Sequence, residues 1–274
     1  MPTNKIEIKH LTVDYTERGK RFNALHDVSF GVGDGEFVSV IGASGCGKST
    51  LLSVLEGLYQ AADGSVEING EPLHGTGKER GVVFQHYSLF PWMTTRSNIA
   101  FGIKQTRSGI SRRERLQIAD EFLGKVGLAE FGKKYPSQLS GGMQQRAAIA
   151  RALAMNTDIL LMDEPFSAID AKNRVVLQEL LLSLWEGESS STGKRKTVVF
   201  VTHDIDEAIL LSDKIVVLTA HPGTVNEIVP VPFERPRSRA DLVKTEEYGR
   251  FRNRLLSLLY QDVAERIGGE EVVL

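Results

Sequence analysis

Apolar and polar residues alternate with period two in KIEIKHLTV, from Lys5, and again in ALHDVSF, from Ala24. Such alternation predicts half-buried antiparallel strands, because successive strand side chains point to opposite faces. EFVSVI, from Glu36, is a denser apolar run and predicts a buried strand leading straight into a glycine-rich loop. Beyond Lys48, STLLSVLEGL takes up helical spacing, SVEING ends in a turn, and GVVF at 81–84 predicts one more short buried strand.

The character changes near residue 86, and 96–155 carry mostly helical patterns. Ser111 and Glu114 have capping-box spacing, after which Leu116, Ala119, Phe122, Leu123 and Val126 recur at helical intervals. These features predict a helical subdomain over roughly 86–155, inserted in an α/β core, with a further helix starting just after Gly141 and Gly142. DILLM then predicts a buried strand, NRVVLQELLLSLW a helix and TVVFVT another buried strand. The stretch EGESSSTGKRK at 186–196 is polar and predicts a solvated surface loop. KIVVL and TVNEIVPV predict closing strands, FERPRSR a proline-basic linker, and 240–267 a C-terminal helix.

Composition narrows the function classes. The 274 residues allow one large domain or two small ones. Thirty-three basic against 35 acidic side chains give a formal charge of −2, so no electrostatic argument points to nucleic acid. The single cysteine, Cys46, rules out an internal disulfide and a Cys-rich zinc site. No apolar run approaches the roughly 18 residues needed to cross a bilayer, and MPTNKIEIKH lacks the apolar core of a signal peptide. The expectation is a chain that reaches a membrane only through a partner.

GASGCGKS at 42–49 fits GxxxxGK[ST], after a predicted strand and before a predicted helix. Gly42, Gly45 and Gly47 let backbone N–H groups wrap a phosphate, Lys48 reaches the β- and γ-phosphates, and Ser49 offers a hydroxyl to Mg²⁺. The following helix aims its positive end at the anion. ILLMDEP places Asp163 and Glu164 at the end of a buried strand, where Asp163 can hold Mg²⁺ and Glu164 can orient or deprotonate water. His203 ends TVVFVT and can donate to the γ-phosphate or to Glu164, while Gln85 ends GVVF and can touch Mg²⁺ or the water. Tyr15 is a weaker candidate, an aromatic able to stack on a base. No NKxD tetrapeptide follows, which counts against a GTPase. LSGGMQQR at 139–146 adds a second anion-site pattern at a helix start.

The order GASGCGKS, Gln85, LSGGMQQR, ILLMDEP, SAID, His203 resembles the nucleotide-binding subunit of an ABC transporter over roughly residues 5–230. That resemblance implies a P-loop NTPase cassette of α/β class, with a RecA-like core, an antiparallel β subdomain and a helical subdomain. It implies an ATPase domain over 5–235 and a C-terminal helical extension over 236–274, with ATP and Mg²⁺ as cofactors. Tyr15 would be the A-loop stacker. Gly42, Ala43, Ser44, Gly45, Cys46, Gly47, Lys48, Ser49 and Thr50 would form the Walker A loop. Ser140, Gly141, Gly142 and Gln144 would be signature residues, and Asp170 would close the D-loop. Glu164, His203 and Gln85 would be the catalytic group, and Ser49, Gln85 and Asp163 the metal ligands. SAID departs mildly from the family's usual SALD through Ile169. The resemblance also implies that two cassettes pack head to tail, with the signature of one covering ATP on the other, so a homodimer is expected.

FPWMTTRSNIAFGI, LSGGMQQR and AHPGTVNEIVPVPFERPRSR are similar to the importer cassettes for nitrate, aliphatic sulfonates and taurine. This narrower likeness implies transmembrane permease subunits, an extracytoplasmic solute-binding protein and a peripheral place on the cytoplasmic face of the cell membrane. An exporter or lipid-transporter ATPase is the alternative, and a soluble ABC protein of DNA repair or translation a third. The aromatics Tyr87, Phe90 and Trp92 either pack inward or form a surface for the permease.

Overall fold

A computed structural model of the chain describes residues 4–17, 19–86, 88–167, 169–192 and 195–267. In chain order the strands and helices begin β1 (Asn4–Glu17), β2 (Lys20–Gly33), β3 (Phe37–Gly42), α1 (Lys48–Leu55), β4 (Asp63–Ile68), β5 (Glu71–Pro72) and β6 (Arg80–Val83). Three helices follow, α2 (Thr95–Thr106), α3 (Arg112–Lys125) and α4 (Gly141–Ala154), then β7 (Ile159–Asp163), α5 (Ala171–Thr192) and β8 (Thr197–Val201). The chain continues as α6 (Ile205–Leu211), β9 (Lys214–Leu218), β10 (Val225–Pro230), α7 (Arg239–Leu242) and α8 (Glu246–Ile267). It divides into two compact units, Met1–Gly75 with Val199–Leu274, and Thr76–Val198.

In the first unit, β1 pairs antiparallel with both β2 and β4. Ile6 and Ile8 are buried in step with the alternation, and a register shift between Ile8 and Leu11, where His10 has φ of +52°, turns Leu11 and Val13 inward in their place. β3 is buried at every residue and pairs in parallel with β9, Val38 facing Lys214 and Gly42 facing Leu218. Burial on both faces is why its sequence is apolar from Phe37 to Ile41 but for Ser39, whose buried hydroxyl meets that of Ser212. β10 closes antiparallel on β9. α8 lays Tyr248, Phe251 and Leu255 on a cluster with Ile205, Ile209, Ile215 and Val217.

FERPRSR is not a free linker. Arg235 Nη2 donates to Leu211 O at 2.6 Å, and Arg237 Nη1 donates to Ile209 O at 3.1 Å and Ser212 O at 2.5 Å. These carbonyls end α6, and helix C-termini leave carbonyls that a guanidinium fork suits. The arginines therefore close a helix end, which composition alone did not reveal.

In the second unit, β6 and β7 pair in parallel, Arg80 with Ile159 through Val83 with Met162. α2, α3 and α4 share a core of Ile99, Ile103, Ala119, Leu123, Ala147 and Ala150. Thr94, Ser111 and Ser140 each cap one of these helices by accepting a backbone N–H. The expected surface loop at 186–196 is corrected: α5 runs on to Thr192. Extending an existing helix costs far less than starting one, so a polar tail can stay helical. Lys196, at the end of the stretch, is buried. Its ammonium donates to Asn156 Oδ1 at 2.7 Å and Thr157 O at 3.0 Å, and its carbonyl accepts from Trp185 Nε1 at 2.7 Å. Gly193 and Lys194, from the same stretch, lie outside the described residues.

Candidate nucleotide site

The first unit carries the GxxxxGK[ST] loop. β3 delivers the chain to Gly42, and α1 starts at Lys48. Gly47 sits just before α1 with φ of +91°, and a Cβ there would meet Leu25 Cδ2 at 2.5 Å and Ala24 O at 2.9 Å. Only glycine satisfies both the left-handed backbone and that approach. Lys48 is buried, and its ammonium donates to Gly42 O at 2.8 Å and Ala43 O at 3.1 Å. The cation is thus anchored inside the loop. Burial pushes the Cys46 thiol up, against the pull of the Lys48 ammonium; it packs as a small apolar residue and is not a thiolate nucleophile.

Two further predicted residues belong to this unit. Tyr15 donates its hydroxyl to Thr50 Oγ1 at 3.3 Å, and its ring packs on Tyr59 with centroids 4.7 Å apart. Tyr15 and the loop's last residue are therefore brought together. His203 is exposed just past β8. Its backbone is fixed on both sides: Thr202 N donates to Val40 O at 3.2 Å, and Asp204 caps α6 by accepting from Asp206 N at 2.9 Å and Glu207 N at 3.1 Å.

The second unit holds Gln85, the signature, Asp163, Glu164 and Asp170. β7 carries four buried residues to Asp163 at its end. Glu164 follows with φ of +41°, a sparsely populated conformation for a residue with a Cβ. Its carbonyl accepts from Ser167 N at 3.1 Å and Ser167 Oγ at 2.9 Å, which stabilises the sharp turn. Gln85 Nε2 lies 3.4 Å from Glu164 Oε2, so β6 and β7 bring these two candidates into contact. Asp170 caps the start of α5, and hydrogen bonds from the Asn173 side chain and backbone hold its carboxyl below the ordinary range. Ala168, inside the predicted D-loop, lies outside the described residues.

Ser140 is the N-cap of α4, its hydroxyl oxygen accepting from Met143 N at 3.3 Å. The hydroxyl hydrogen can still be offered to an anion, and Gly141 and Gly142 begin the helix with backbone N–H groups at its positive end. Gln144 turns back to donate to Leu139 O at 3.2 Å.

Sequence reading passed over two residues here. Gln145 is buried and donates to Phe84 O at 3.3 Å, and Arg151 donates to Ser88 O at 2.7 Å and Ser88 Oγ at 2.5 Å. Together they fasten α4 to both sides of Gln85. Polar side chains on an otherwise alanine-rich buried helix were the available signal.

The aromatics after Gln85 divide. Phe90 is half-buried, edge-on to Phe101 at 4.9 Å, whereas Trp92 is 69% exposed. Tyr87 lies outside the described residues. Phe90→Ala is therefore expected to lower stability by about 1–2 kcal/mol from lost apolar burial and ring contact. Trp92→Ala, which removes a mostly exposed ring with its centroid 5.4 Å from that of Phe90, should cost less, under about 1 kcal/mol. Thermal melts of the two variants check this.

A strand, a GxxxxGK[ST] loop and a helix, with parallel strands ending in polar residues, define the P-loop nucleoside-triphosphate-binding proteins. Residues 25–167, just over half of the chain, match the sequence model of the family described as ABC transporter. The chain belongs to that family. It is an ATP-binding cassette whose ATPase activity is coupled to transport, with the cassette's α/β fold. Over 263 residues it is 45% identical to an ABC transporter ATP-binding protein of Methanocaldococcus jannaschii, covering 96% of this chain and 94% of that one. Over 250 residues it is 46% identical to the nitrate import ATP-binding protein NrtD of Synechococcus elongatus, covering 91% and 89%. Among solved structures it resembles a dimeric post-hydrolysis state of the ATP-binding cassette MJ0796 bound to ADP and Pi, with TM-score 0.73 and 34% identity over 84% of this chain and all of that one. Among the described residues, no helix is long and apolar enough to cross a membrane.

Proposed function

We propose that this chain is the ATPase subunit of an importer, closing on ATP as a head-to-tail homodimer beneath a transmembrane permease. The solute is a small one, such as nitrate, a sulfonate or taurine, delivered by an extracytoplasmic binding protein. The observation that carries the direction and the solute class is the 46% identity, across 91% of the chain, to a nitrate import ATP-binding protein. The chain would sit peripherally on the cytoplasmic face of the membrane.

The roles proposed for the residues follow from their chemistry. Gly42 through Thr50 cradle the phosphates, and Lys48 supplies a fixed positive charge. Glu164 takes the proton of the attacking water, His203 donates to the γ-phosphate, and Gln85 touches Glu164 and reports the phosphate's presence. Ser49, Asp163 and Gln85 offer only oxygen donors, the set that Mg²⁺ prefers. Among the described residues no cluster of three or more His, Cys, Asp or Glu could hold a metal, so the ion would share its coordination with the nucleotide's phosphates. Ser140, Gly141 and Gly142 serve the ATP of the second copy, Asp170 shapes the turn beside it, and Gln144 braces the loop.

Purifying the chain from solubilised membranes tests the importer reading. An extracytoplasmic binding protein among the copurifying chains, with a bound anion or taurine, is the expected result. A permease without any such protein would sink it. Trp92→Ala should weaken retention of the permease by about 2 kcal/mol or more, as loss of an exposed tryptophan anchor does. Retention equal to the parent's would place the docking surface elsewhere.

Ser140→Arg should stop turnover while leaving ATP binding intact, because its own phosphate loop is untouched. Mixing it with Lys48→Ala should restore part of the activity, since each mixed dimer has one composite site with both halves intact. Absence of any recovery, with mixed dimers shown to form, would argue against the signature acting across the dimer or against independent sites.

A further inference from the structure

The turn joining β9 to β10 lies against the phosphate loop. Gly223 N donates to Ala24 O at 3.0 Å, and Gly223 O accepts from His26 N at 2.9 Å. A Cβ on Gly223 would stand 2.2 Å from Cys46 O, so only glycine allows the approach. Thr219 N donates to Thr224 O at 3.0 Å across the turn's base, and the two threonine hydroxyls are 2.6 Å apart. This framework holds His221 at φ of +60°. Non-glycine residues persist in that region only where surrounding structure enforces it, and such positions cluster at functional sites.

His221 lies beside the loop itself: a Cβ placed on Gly45 would be 3.6 Å from its Cε1. Its other neighbour is Phe22, in an edge-to-face arrangement with centroids 6.4 Å apart. Phe22 is directly opposite Tyr15 in the β1–β2 register, so the two rings project from the same face. The pairs Tyr59–Tyr15 and Phe22–His221 are thus set side by side by the β1–β2 register, a row of rings in two pairs. One part of it meets the loop at Thr50 through the Tyr15 hydroxyl, and the other meets it at Gly45. Within the row, Tyr15 already packs on Tyr59, whereas Phe22 is 49% exposed. An anion-cradling loop bordered by aromatic rings suits a ligand with phosphates at one end and a flat heterocycle at the other.

We propose that Phe22 is a further nucleotide-contacting residue, offering its exposed ring to the base of ATP beside Tyr15, and that His221 is the positioning residue holding that ring at the phosphate loop. The inference rests on ATP binding by this unit and is independent of the importer reading.

Calorimetric titration of the full chain with ADP, and separately with inorganic tripolyphosphate, tests it. Phe22→Ala should weaken ADP by about 5- to 100-fold, the range of one base–aromatic stack, and leave tripolyphosphate unchanged. Phe22→Trp should restore ADP binding. His221→Ala should weaken ADP less, add nothing in the Phe22→Ala background, and be rescued by His221→Phe. Unchanged ADP affinity in Phe22→Ala would overturn the proposal. An equal loss for both ligands would also overturn it, because the ring would then act on the loop and not on the base. A parent chain that binds tripolyphosphate and not ADP would overturn this assignment, and one that binds neither would overturn ATP binding with it.

Discussion

A Glu164→Gln chain is expected to bind ATP as the parent does and to hydrolyse it about 10²–10⁴-fold more slowly, the usual cost of losing a general base. The substitution keeps the shape and the polar reach of the side chain. A carboxamide can still meet Gln85, whose Nε2 lies 3.4 Å from the carboxylate, but it cannot accept the proton of an attacking water. The backbone turn at φ of +41° is stabilised by Ser167 through the Glu164 carbonyl, so the exchange leaves it in place. With hydrolysis stopped, ATP should stay at the interface and hold two chains together. Gel filtration in Mg-ATP should show a dimer that the parent populates weakly. If the variant remains monomeric at saturating ATP and high protein concentration, ATP does not bridge the copies.

Lys48→Ala should abolish measurable turnover, a loss of at least about 10²–10³-fold, as when a preorganised donor to transition-state charge is removed. It should also remove much of the nucleotide affinity. Lys48 is buried and donates to Gly42 and Ala43 carbonyls, so alanine deletes both the charge proposed to meet the phosphates and a brace of the loop's shape. Steady-state ATPase assays with nucleotide titration check both effects. Turnover equal to the parent's would mean that residues 42–49 are not the phosphate loop.

Much of this arrangement was legible because burial writes itself into periodicity. The alternation from Lys5 gave β1, and the dense apolar runs gave β3, β7 and β8. Polar residues directly after such runs, Gln85, Asp163 and His203, stood out against them. Features resting on long-range partners were not legible. A polar stretch became the end of α5 because the helix before it was already formed. Arg235 and Arg237 read as a basic linker because the carbonyls they satisfy lie more than twenty residues earlier in the chain. Gln144 and Gln145 are adjacent and chemically identical, yet one folds back on Leu139 and the other reaches Phe84. Only the rotation about α4 separates them.

The fastening of α4 to the segment around Gln85 has a mechanical consequence. Gln145 and Arg151 grip Phe84 and Ser88 from the helix that Ser140 begins. A shift of Phe84 and Ser88, on either side of Gln85, would pull on the helix that carries the serine, as two teeth of one gear. In the proposed head-to-tail pair those teeth would engage different nucleotides. Loss of a γ-phosphate at one site would then retract the serine from the other, so the two halves would be timed against each other like the pallets of an escapement.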